Sequence, residues 1–100
     1  MIDKTVGIQG DLRIIKIDII PKEAIKRKDK ILLKGEVTGH AHRLTNGDVY
    51  NLDERILFTV PYPAEIIHEE HLPIPLEIGK YEIIRQREYT NKDAVELVTD

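Results

Sequence analysis

The chain of 100 residues has four histidines, and all fall in two tight pairs, His40-Ala41-His42 and His68-Glu69-Glu70-His71. Neutral imidazole is a ligand for divalent transition metals and a proton carrier near neutral pH. In an extended strand, residues i and i+2 share a face, so His40 and His42 can converge on one point. Residues i and i+3 diverge on a straight strand, so His68 and His71 can act together only where the chain bends. Pro73 makes such a bend expected. His40, His42, His68 and His71 are therefore the expected metal ligands, with zinc, nickel or iron as the cofactor. Three histidines plus an open position describe a catalytic centre, and four describe a closed structural one. Glu69 and Glu70 offer a further ligand, an orienter of an imidazole, or a general base for bound water. The zincin signature sets its histidines four positions apart; His68 and His71 are three apart, which argues against a metalloprotease.

Cations stand beside these pairs. Arg43 can hold an anionic substrate bidentately, or pair with a neighbouring carboxylate. In Arg85-Gln86-Arg87-Glu88-Tyr89, alternation puts Arg85, Arg87 and Tyr89 on one face of a strand. Arg87 and Tyr89 are candidates for stabilising an anion, with cross-strand ion pairs as the alternative. The stretch Lys22–Lys34 has six Lys/Arg and two acids but no interleaved aromatics, so it supports nucleic-acid contact only weakly.

Composition removes several classes. With no cysteine there are no disulfides, thiolate metal sites or cysteine nucleophiles, and with no serine there is no serine hydrolase chemistry. Fifteen Lys+Arg against 18 Asp+Glu give a net charge of −3, unlike a general polyanion binder. No apolar run is long enough to span a bilayer and no signal-peptide pattern opens the chain, so a cytoplasmic protein is expected, with no membrane partner.

Sixteen Ile, six Val and six Thr against four Ala favour pleated, half-buried surfaces over helices. Strands are expected over 12–20, 31–38, a segment through His42, 49–52, 55–60, 64–68 and 80–89. Gly10-Asp11 signals a turn, and Gly39 a close backbone approach or a bulge. Asn46-Gly47 predicts a type I′ hairpin between the strand through His42 and that at Val49–Leu52. Thr90 with Asp93 marks the start of a short C-terminal helical turn. The whole reads as one all-β domain over 1–100, a barrel or sandwich of six to seven short, mostly antiparallel strands.

Taken in order, Gly10-Asp11-Leu12, Glu36-Val37-Thr38-Gly39-His40-Ala41-His42-Arg43, His68-Glu69-Glu70-His71, Gly79-Lys80-Tyr81 and Gln86-Arg87-Glu88-Tyr89 resemble a group of small uncharacterised prokaryotic and phage proteins. The resemblance spans residues 10–90. It implies that both histidine pairs and the last strand share a site, and it implies no activity. The His-x-His pair is also similar to that of cupins, metal-binding β-barrels. The chain departs from them: no Glu stands three or four residues past His42, and the glycine of their second motif is missing ahead of His68.

Three functions fit these residues. One is a metal-binding pocket that activates water for hydrolysis, with Arg43 and Arg87 holding the anion. Another is metal-free acid–base cleavage of a phosphodiester by paired histidines, as in a ribonuclease. The last is a non-enzymatic binding or inhibitor module for a protein or small molecule. Exposed sheet edges would favour a homodimer.

Overall fold

The computed structural model describes residues 4–34 and 39–85. Ten strands run through them: β1 Thr5–Gln9, β2 Leu12–Ile17, β3 Ile25–Lys26, β4 Ile31–Lys34, β5 Ala41–Leu44, β6 Asp48–Leu52, β7 Arg55–Val60, β8 Ala64–Ile67, β9 Ile74–Leu76 and β10 Gly79–Arg85. They form a six-stranded sheet in the order β1-β2-β10-β7-β6-β3 and a four-stranded sheet in the order β4-β5-β8-β9. Every pairing is antiparallel. The protein is all-β, as the composition predicts, and its sheets are not closed into a barrel.

Alternation builds the core. Leu12 and Ile14 of β2, Val49 of β6, Phe58 and Val60 of β7, and Tyr81 and Ile83 of β10 are buried from one sheet. Leu32, Leu44, Ile66, Ile74 and Leu76 meet them from the other, in one apolar cluster. Phe58 and Tyr81 are directly opposite in the β7–β10 register and stack at 5.2 Å. The buried Tyr81 hydroxyl donates to the Glu77 carbonyl at 2.6 Å, so its polar tip is satisfied.

The strands exceed the expected six to seven because three short ones lack a periodic signature. β1 precedes the first clear alternation, two-residue β3 sits inside the charged Lys22–Lys30 stretch, and β9 carries Pro75. Proline is tolerated there because β9 is an edge strand. Gly10-Asp11 forms the expected turn, with Gln9 facing Leu12 across it.

The Asn46-Gly47 hairpin is not formed. β5 pairs with β4 and β8, β6 pairs with β7 and β3, and the segment between β5 and β6 crosses from one sheet to the other. A type I′ turn needs positive φ at both central residues. Only Gly47 has it, at 126°. A Cβ at Gly47 would lie 2.1 Å from the Thr59 carbonyl oxygen, so the glycine permits close passage under β7. Thr45 anchors the departure: its N–H donates to the Glu65 carbonyl and its Oγ1 accepts from the Glu65 N–H, both at 3.0 Å. The two-residue hairpin turn lies instead at Asp53-Glu54, between β6 and β7, with Asp53 at φ 55°. Residues 35–38 and the expected helical turn after Thr90 lie outside the described residues.

Candidate metal and proton-handling site

Strand direction brings the two histidine pairs together. β5 and β8 are antiparallel, with Arg43 opposite Ile67 and Leu44 opposite Ile66. The start of β5 therefore lies beside the end of β8, and His40 and His42 meet His68. The chain bends over residues 69–71, which folds His71 back onto the same cluster. The His68 ring is 4.3 Å from that of His42, 4.6 Å from that of His71 and 5.7 Å from that of His40. The His42 and His71 rings are nearly parallel, 6.2 Å apart. His42 is fully buried and His68 is 9% exposed; His40 and His71 are intermediate. Gly39 enters β5 at φ +79° with open space around its Cβ position, so its role is conformational rather than close approach.

Glu69 joins the two strand ends. Its Oε1 accepts from the Ala41 N–H and its Oε2 from Arg43 Nη1, each at 3.0 Å. The Ala41 amide first, and then the Arg43 guanidinium, lower its pKa to about 2. Glu69 is thus a permanent anion at neutral pH. One ligand atom from each of His40, His68 and Glu69 lies within 4.8 Å of the other two. Glu70 adds a second carboxylate, with Oε2 3.4 Å from His40 Nδ1. Its own N–H donates to His68 Nδ1 at 3.0 Å. A neutral His68 ring therefore keeps its lone pair at Nδ1, where a metal ion would compete with the Glu70 amide.

Gln9, which no sequence pattern singled out, reaches this cluster from the other sheet. It is 2% exposed. Its Nε2 donates to the carbonyls of Ile66 at 3.0 Å and Leu72 at 2.8 Å, and its Oε1 lies 2.8 Å from His42 Nδ1. It thus ties the end of β8 and the residue after His71 to His42. The only available signal was its place before the Gly10-Asp11 turn, opposite the buried Leu12.

Other sequence candidates lie elsewhere. Arg43 is engaged with Glu69 across an exposed ion pair, the alternative considered for it. Arg85 bonds the buried Asp11 at 3.0 Å. Arg87 and Tyr89 lie outside the described residues. In the basic stretch, Arg27 pairs with Asp29 and Lys26 with Asp48. A cavity of about 450 Å³ bounded by Arg27, Lys34, Asp53, Glu54 and Arg55 includes no histidine.

Fold and site together define a small antiparallel protein of two packed sheets with a histidine–carboxylate cluster where β5 begins and β8 ends. Residues 8–86 match the family described as "Domain of unknown function (DUF8820)", and the chain belongs to that family. No curated protein and no solved structure matches it.

Proposed function

We propose that this protein binds one divalent transition-metal ion (zinc, nickel or iron) through His40, His68 and Glu69, and uses it to activate water for hydrolysis of a small anionic substrate. The observation that carries this reading is the gathering of two imidazoles and a fixed carboxylate within 4.8 Å, from segments 28 residues or more apart for His40 and His68. Mixed nitrogen and oxygen donors suit these metals, and three protein ligands leave a position for water. Glu69, held ionised by Ala41 and Arg43, is a poor base and a good anionic ligand. Glu70, beside His40, is the better placed to orient that ring or take a proton.

The test is elemental mass spectrometry on untagged protein, wild type and His68→Ala, after incubation with Zn²⁺, Ni²⁺ or Fe²⁺ and desalting. Near one equivalent in wild type and a loss of most of it in the variant is expected. No uptake of any of the three ions by folded wild type overturns the reading. A second reading, acid–base cleavage without metal, is favoured by the close packing of His42, His68 and His71. It predicts hydrolysis of a phosphodiester that survives chelator.

A further inference from the structure

Gln9 has its donors and acceptor assigned by its surroundings. Both of its acceptor partners are main-chain carbonyls, of Ile66 and Leu72, and a carbonyl cannot donate. The amide nitrogen must therefore face them, using both N–H groups. The remaining atom, Oε1, then faces His42 Nδ1 at 2.8 Å, and an amide oxygen only accepts. The proton in that bond has to come from the ring. His42 is fully buried and Gln9 nearly so, and a hydrogen bond between them is electrostatically stronger there than in water.

We propose that Gln9 is a positioning residue that holds His42 as the Nδ1–H tautomer, with the lone pair of the neutral ring at Nε2. An imidazole anchored at one nitrogen by a fixed acceptor has both its tautomer and its ring orientation set. Here the anchor comes from the other sheet and is itself fixed by the backbone on both sides of the His68–His71 segment. One residue thereby orients the buried imidazole and sets the position of the loop that carries the other two. The tautomer does not require a bound metal.

Two-bond proton–nitrogen correlation spectra of metal-free, nitrogen-15-labelled protein test this. They are recorded at about pH 8.5, roughly two units above an ordinary imidazole pKa, where a free ring is neutral. Wild type is expected to show a protonated-type Nδ1 and an unprotonated-type Nε2 for His42. Gln9→Met removes the acceptor at similar volume and should move the Nδ1 signal towards the unprotonated position. An unprotonated Nδ1, or two protonated nitrogens, in wild type overturns the inference, and this needs no variant to fold. An unchanged His42 pattern in folded Gln9→Met also overturns it. A protein that takes up no metal but shows the expected pattern would lose the metal reading and keep this one.

Discussion

Glu69 shows how one side chain can serve both the fold and the chemistry. Its carboxylate closes β5 onto the end of β8 and supplies negative charge among the imidazoles. Because folding lowers its pKa from the ordinary 4.5 to about 2, its stabilising effect is complete above about 4.5. That effect is lost as pH falls from 4.5 through 2, where the folded protein takes up the proton. In metal-free protein, Glu69→Gln is therefore expected to melt below wild type at pH 7, with the difference shrinking towards pH 2.5. A difference that stays constant down to pH 2.5 would mean that the Ala41 and Arg43 contacts do not depend on the charge. At this scale the histidine pairs, Glu69, Glu70 and Arg43 are legible from residue type and spacing. Gln9 is not, because a glutamine before a turn is ordinarily solvated and only its burial against His42 makes it notable.

Elements were legible where alternation was strong. β2, β7, β8 and β10 stand close to where period-two patterning puts them, although β2 ends at Ile17 rather than Ile20. Partner choice was less accessible. Asn46-Gly47 is locally a good hairpin turn, but a β5–β6 hairpin would take β5 from the partners it has, β4 and β8, and His40 from beside His68. The crossing depends on Gly47. Gly47→Ala places a methyl against the Thr59 backbone in a conformation disfavoured for alanine, and a cost of at least about 1–3 kcal/mol is expected from the backbone strain alone. Urea unfolding should show a lower midpoint at an unchanged slope; an unaltered midpoint would mean that the crossing relaxes freely.

For the molecule as a whole, an aliphatic core that includes the Phe58–Tyr81 stack carries both sheets. Phe58→Ala is expected to cost about 3–5 kcal/mol by urea denaturation, much of the stability of an ordinary small domain. A loss under about 1 kcal/mol would show that the sheets are not held by this contact. The proposed site joins the start of β5 to the end of β8, so a bound ion should stabilise the folded state. At a free metal concentration 100-fold above Kd, linkage adds about 2.7 kcal/mol. The melting temperature of wild type should rise with Zn²⁺ or Ni²⁺, and that of His68→Ala should not. Among the described residues no helix is long and apolar enough to cross a membrane.

The sequence alone determined the class of fold, because β-branched composition and period-two burial are local properties that each strand carries with it. It also determined which side chains had chemistry to offer. Tertiary structure alone decided that the chain crosses between sheets at Gly47 and that Gln9 lies against His42 from 33 residues away. Those outcomes depend on strand pairing and on which polar groups are excluded from water, and neither is set by the neighbours of a residue along the chain.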